Sequence, residues 1–142
     1  MAALAGLGIA ATTSWWLLLV GVASIIAAWT YTGGPNPYGY LGFGELFVFV
    51  FFGVVATVGT TYAVSERIEG IDVVASFVVG ALAVALLIVN NLRDIPTDQQ
   101  SGKKTLAVRL GDARTRWLYC AVLVAAAIGV VIVGVDRSWS LA

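Results

Sequence analysis

Along most of the chain, apolar side chains fill every position of the helical wheel, and short polar breaks separate the apolar stretches. No residue from 1 to 44 is charged, and three more uncharged runs cover 46–65, 73–92 and 117–135. Each of those three approaches the ~20 residues that carry a helix across a bilayer core. Lipid leaves the backbone only helices or closed barrels, and the runs lack the two-residue alternation of a barrel strand. The pattern therefore predicts helices throughout: a partial helix over 2–11 and spans over 15–31, 45–64, 72–91 and 117–135. The segment 32–44, rich in Gly, Pro and Tyr, reads as a loop, and 93–116 as a polar segment. The expected fold is all-α: one transmembrane helical bundle over 1–142, with about four full spans and a partial N-terminal one. Trp15, Trp16, Trp29, Tyr31, Trp117 and Tyr119 fall near span ends, where an aromatic belt sits.

Composition sharpens this picture. Apolar residues make up 60% of the chain and charged residues 11%, against about 25% charged in soluble domains. The polar segment 93–116 holds six of the eight basic residues, so the positive-inside rule places it in the cytoplasm. Counting crossings back puts the 32–44 loop on the same side, and the multi-pass chain is expected in the cell membrane. Net charge is zero, which gives no footing for nucleic acid. The absence of histidine excludes His metal sites, Ser-His triads and His acid–base chemistry. Cys120, alone in an apolar run, reads as a small packing residue. The start lacks the positive region of a signal peptide. Its short apolar run reads as a helix entered midway, which predicts the middle or C-terminal part of a longer protein.

The chemistry concentrates in 90–111. Asn90, Asp94 and Asp98 recur every four residues, a spacing that stacks side chains about 5–6 Å apart on one helical face. Two carboxylates so close make sense around a divalent cation. Mg²⁺ prefers one or two carboxylates together with waters and phosphate oxygens. Arg93, Lys103 and Lys104 are close enough in sequence to meet remaining phosphate charge, and arginine forks onto phosphate oxygens. A plainly solvated charged loop is the competing reading. Against it, Asn90 and Asn91 lie in the last turn of an apolar span, where polar groups are costly and mark function. Pro96 predicts a bend or restart between the two aspartates.

These residues resemble a family. Asn90-x-x-x-Asp94-x-x-x-Asp98 followed by Gly102-Lys103-Lys104-Thr105-Leu106-Ala107-Val108-Arg109-Leu110-Gly111 is similar to the second Asp-rich motif of UbiA-type intramembrane prenyltransferases. The likeness is strongest to the branch acting on 1,4-dihydroxy-2-naphthoate in menaquinone synthesis. The segment from Tyr31 through Pro35, Asn36, Pro37, Tyr38 and Tyr40 to Gly44-Glu45 resembles the same branch. The resemblance implies a bundle of about nine spans with two facing Asp-rich motifs that bind Mg²⁺ and a polyprenyl diphosphate. It implies prenyl transfer to the naphthoate ring with loss of CO₂, giving demethylmenaquinone. Carried over by position, it assigns Asp94, Asp98 and Asn90 to the metal, and Lys103, Arg93 and Asn91 to the diphosphate. Tyr31, Tyr38 and Glu45 become candidates for the aromatic acceptor, with a plain connector as the alternative for the loop.

Other features have plainer readings. The run from Phe47 to Phe52 fits packing or lipid contact better than a prenyl tunnel. Gly53, Gly59 and Gly80 suit close helix contact. Arg109, Arg114 and Arg116 fit topology and headgroup contact. The chain departs from the family pattern too: no Asp-x-x-x-Asp precedes Asp94, and the 32–44 loop has no lysine. Alone, it is expected to be inactive. Two competing readings are a CDP-alcohol phosphotransferase, whose motif carries Asp-Gly and Ala-Arg pairs not found ahead of Asp94, and a transporter or assembly subunit with no need of Mg²⁺.

Overall fold

The computed structural model of the chain describes residues 1–35 and 37–140, with backbone only for 137–140. Asn36, in the predicted loop, lies outside the described residues. Among them every regular element is helical: α1 (Ala2–Thr12), α2 (Trp16–Thr32), α3 (Gly44–Ser65), α4 (Gly70–Arg93), α5 (Ile95–Gln100), α6 (Leu106–Leu110) and α7 (Asp112–Ser140). A 3-10 turn at Tyr38–Leu41 lies between α2 and α3.

The elements follow the hydrophobic pattern closely. Three stretches are long and apolar enough to cross a membrane: α3, α4 and residues Asp112–Asp136 of α7. The fourth expected span, α2, has 17 residues, so it reaches only about 25 Å at 1.5 Å per residue. Side-chain and backbone bonds fix the far end of the bundle. Thr13 Oγ1 donates to the Ala63 carbonyl at 3.4 Å, tying the α1–α2 joint to the last turn of α3. Glu66 then takes a left-handed conformation (φ 55°) that stops α3. Asp72 Oδ2 accepts from the Glu69 amide at 2.8 Å and starts α4.

Helix α4 is the centre. Ser76, Gly80, Ala81, Val84, Ala85 and Ile88 are its buried residues, and it packs against the middle of α3 on one side and α7 on the other. Small side chains let helix axes approach closely. A Cβ on Gly53 would stand 2.6 Å from Gly80 Cα, and one on Gly129 would stand 2.5 Å from Val78 Cγ2. Gly53 and Gly80 thus make the close contact expected of them, whereas Gly59 faces open space with nothing within 4 Å. We expect Gly53→Ala to lower stability by about 1–3 kcal/mol through overpacking, while Gly59→Ala is near neutral. Thermal unfolding of both variants in detergent checks the pair; equal midpoints would contradict the Gly53–Gly80 contact.

The winding of α3 changes along its length. Gly44–Val48 and Gly59–Ser65 are α-helical, and Phe49–Val58 between them is a π-helix. Such segments are rare and often lie near functional sites. Cys120 lies exposed on α7, so the expected packing role is not met by contacts within the chain.

Candidate functional site

The loop after α2 and the polar segment after α4 meet at one end of the bundle. The Lys104 amide donates to the Tyr40 carbonyl at 2.8 Å. Arg109 completes the joint: its Nε donates to the Lys104 carbonyl at 3.0 Å and its Nη2 to the Leu41 carbonyl at 2.9 Å. Gly42 allows this, with φ +81° and a would-be Cβ 3.1 Å from Arg109 Nε. Arg109 was expected at lipid headgroups; instead its planar fork staples two loop backbones together. Hydrogen bonds from a charged donor are worth about 1.5–3 kcal/mol at best, and less for an exposed side chain such as this. Arg109→Ala should therefore speed hydrogen exchange at the Lys104 amide, with little change in the cores of α4 and α7. Unchanged Lys104 exchange would contradict the staple.

The Asp motif keeps its helical rise through a break. Helix α4 ends at Arg93, Asp94 takes a bridge conformation (φ −91°, ψ 4°), and α5 restarts with Pro96 in its first turn. The backbone bonds Asp94 N to Asn90 O (3.0 Å) and Asp98 N to Asp94 O (2.8 Å) bridge the restart. The two carboxylates nonetheless differ in setting. Asp94 accepts both arms of the Arg93 guanidinium, at 2.7 and 3.0 Å. That bond holds its carboxyl below the usual carboxylate range, and the Arg93 and Lys103 charges add to the effect. Asp98 is buried, at 6% exposure, and pairs with Lys103 Nζ at 3.2 Å.

Lys103 is the centre of charge. Its ammonium lies against Asp98 and 4.8 Å above the centre of the Tyr40 ring. The Asp98 hydrogen bond, then the Asp98 charge, raises its pKa above the ordinary lysine value. Facing this, Asn91 Nδ2 donates to Glu45 Oε1 at 2.9 Å. Glu45 is buried at 8% exposure, and its Oε2 has no partner among the described residues. The Tyr31 hydroxyl lies beside this pair: a Cβ on Gly44, next to Glu45, would stand 3.5 Å from it.

The structure thus gathers Tyr31, Glu45, Asn91, Asp98 and Lys103, with Asp94 and Arg93 paired at the edge. Asn90 is exposed on the last turn of α4. Tyr38 turns the other way. Its hydroxyl donates to the Ala27 carbonyl at 2.7 Å, and its ring stacks on Phe47 with centroids 3.9 Å apart. Burial, then neighbouring Tyr31, pushes the Tyr38 phenol up. An apolar cavity of about 510 Å³ lies between α2 and α3, bordered by Ala27, Tyr31, Tyr38, Phe47 and Phe51. Phe49, from the same run, packs edge-on against Phe77 instead.

Two site residues escaped the sequence reading. Tyr40 was one tyrosine among several in the loop, and nothing in its spacing separates it from Tyr38. Arg109 was grouped with the other arginines of the polar segment. Only the 3-10 turn, which aims successive tyrosines to different sides, decides which one meets Lys103.

Among the described residues no three His, Cys, Asp or Glu side chains cluster closely enough to hold a metal ion by themselves. Asp94 and Asp98 are paired with Arg93 and Lys103, so an ion that takes its other ligands from phosphate and water would be held by them only in exchange for those pairings.

An apolar helical bundle with acid–base pairs at one end, beside an aromatic-lined cavity, defines a polytopic membrane protein with a polar site at its surface. The whole chain, residues 1–142, matches the UbiA prenyltransferase family. The chain belongs to that family. It is 53% identical over 135 residues to the 1,4-dihydroxy-2-naphthoate octaprenyltransferase of Mycobacterium leprae, covering 95% of this chain and 46% of that protein. Identity to the protein of the same name from Mycobacterium tuberculosis is 50% over 139 residues, or 98% of this chain and 48% of the relative. The Bacillus subtilis protein of that name is 34% identical over 142 residues, with 98% and 46% covered. The chain spans about half the length of the curated relatives it matches. No solved structure matches it.

Proposed function

We propose that this chain carries part of the active site of an enzyme that moves a polyprenyl group from an allylic polyprenyl diphosphate to 1,4-dihydroxy-2-naphthoate. CO₂ and diphosphate leave, and the product is demethylmenaquinol, the two-electron-reduced form of demethylmenaquinone. The observation that carries this reading is the Lys103 ammonium, held between the Asp98 carboxylate and the Tyr40 ring where the two polar segments meet. The names of relatives up to 53% identical supply the acceptor.

The physical chemistry is coherent. Breaking the allylic C–O bond leaves a diphosphate anion and an allylic cation, and fixed positive charge lowers the barrier by stabilising the leaving group. Lys103, with Arg93 near it in sequence, would bind phosphate oxygens. Asp94 and Asp98, with Asn90 beside them, would hold Mg²⁺, which when bound neutralises charge on the leaving diphosphate. The Tyr31 and Tyr40 rings offer negative π-faces to a nearby cation. The surrounding apolar helices keep water from that cation and give the isoprenoid tail its berth. The site faces the cytoplasm of the cell membrane in this reading, as the basic 93–116 segment requires.

The test is reconstitution of the active protein in vesicles with octaprenyl diphosphate, 1,4-dihydroxy-2-naphthoate and Mg²⁺. Demethylmenaquinol, detected as demethylmenaquinone after air oxidation, should form, and removal of divalent cations should stop it. A prenylated product that retains the ring carboxylate, or no product with a preparation that binds the diphosphate, would overturn the proposed acceptor.

A further inference from the structure

Buried carboxylates in folded proteins are paired, and one left with a free oxygen calls for an explanation. Glu45 is such a group. It opens α3 in a shell sealed to 8% exposure, with Oε1 fixed by the Asn91 amide at 2.9 Å and Oε2 unmatched among the described residues. The bond from α4 settles the orientation of the carboxylate, so Oε2 is held in place without a donor. A single carboxylate oxygen buried without a partner selects for a hydrogen-bond donor that can arrive and leave.

The surroundings narrow the class of donor. Lys103 is engaged by Asp98, and Arg109 by two backbone carbonyls. Beside Glu45, the position of a Cβ on Gly44 lies 3.5 Å from both the Tyr31 hydroxyl and Leu87 Cδ2. Tyr31 is partly exposed, and its phenol is thus an aromatic neighbour of Glu45 that reaches the surface. An aromatic wall with a hydrogen-bond acceptor behind it suits a flat ring that carries a hydroxyl.

We infer that Glu45 Oε2 accepts a hydrogen bond from a ring hydroxyl of the aromatic acceptor, and that Asn91 is the positioning residue that aims it. This rests on the proposed prenyl transfer to a hydroxynaphthoate. It removes Asn91 from the diphosphate ligands and makes it a brace for acceptor selection. Because Oε2 is buried in this chain, the incoming ring must displace a neighbouring group to reach it.

The experiment compares 1,4-dihydroxy-2-naphthoate with its mono-methyl ethers as acceptors for the active protein. The wild-type protein should favour the free hydroxyl at one ring position by roughly tenfold or more in kcat/KM, the size expected when a charged hydrogen bond is lost. Glu45→Gln should erase most of that preference, since an amide oxygen accepts less strongly and the neutral group no longer selects. If Glu45→Gln fails to insert, Asn91→Leu gives a second reading: acceptor KM should rise several-fold while KM for octaprenyl diphosphate stays unchanged. Discrimination retained in Glu45→Gln overturns the inference and leaves the prenyl transfer standing. So does an Asn91→Leu defect confined to the diphosphate KM. Absence of any prenylated naphthoate with wild-type protein would instead remove the proposed reaction, and the inference with it.

Discussion

Asp98→Asn in the active protein is expected to lower turnover by a factor of roughly 10² to 10³ or more, the scale seen when a preorganised electrostatic partner is lost. The effect should exceed that of Asp94→Asn. Asp98 is the buried member of the pair and the one that contacts Lys103, at 3.2 Å. Losing its charge removes a hard oxygen from any bound divalent cation and also frees the ammonium that should meet the diphosphate. Asp94 is more open, with 40% side-chain exposure, and is shared with Arg93. Removing its charge leaves Arg93 free to reach phosphate, which offsets part of the loss. The readouts are single-turnover rates at saturating octaprenyl diphosphate and the yield of protein inserted in membranes. Normal insertion with lost turnover is the expected outcome for both variants. Near-wild-type turnover in Asp98→Asn would sink the assignment of that carboxylate to the diphosphate end.

The fold was legible because lipid imposes one rule on every span. Uncharged runs of membrane length must be helical, so the positions of α3, α4 and α7 follow from where the charges stop, while α2 is bounded by Thr12-Thr13-Ser14 and the Gly/Pro loop. The spacing of Asn90, Asp94 and Asp98 likewise carried through, since backbone bonds from Asn90 and Asp94 persist across the restart at Pro96. What periodicity could not give was direction. Asp94 and Asp98 share a helical row in sequence, yet one pairs with an exposed arginine beside it and the other with a lysine five residues on. That choice depends on how the chain returns after Gly102, a turn with positive φ (+74°). Tyr38 and Tyr40 could not be ranked for the same reason. The π-helical stretch of α3 has no sequence signal either: apart from Thr57 its residues are apolar, like those of the α-helical spans. The glycine run misled at Gly59, where a residue type that permits contact was not met by a neighbour.

Lys103→Ala is expected to raise KM for octaprenyl diphosphate by roughly ten- to a hundredfold, as for a lost charge-assisted hydrogen bond, with a smaller fall in kcat. The reason lies in its three-way setting. Asp98 orients the ammonium, the Tyr40 ring supports it from below, and the Lys104 amide to Tyr40 carbonyl bond ties that ring to the lysine's own loop. A point charge so held keeps its remaining donors for a polyanion. Lys103→Arg should recover only part of the affinity, because a planar fork cannot reproduce a compact ammonium over an aromatic face. Tyr40→Phe, which keeps the π-face, should stay close to wild type, and Tyr40→Leu should move diphosphate KM in the same direction as Lys103→Ala. The sign of the pH dependence follows from the raised lysine pKa. A group whose folded pKa lies above its free value keeps its charge as pH rises and loses its contribution only when pH passes the raised value. Diphosphate KM in wild type should therefore stay flat from about pH 7 to 9, below the ordinary lysine range. A steady rise in KM over that interval, or an unchanged KM in Lys103→Ala, would show that this ammonium does not hold the leaving group.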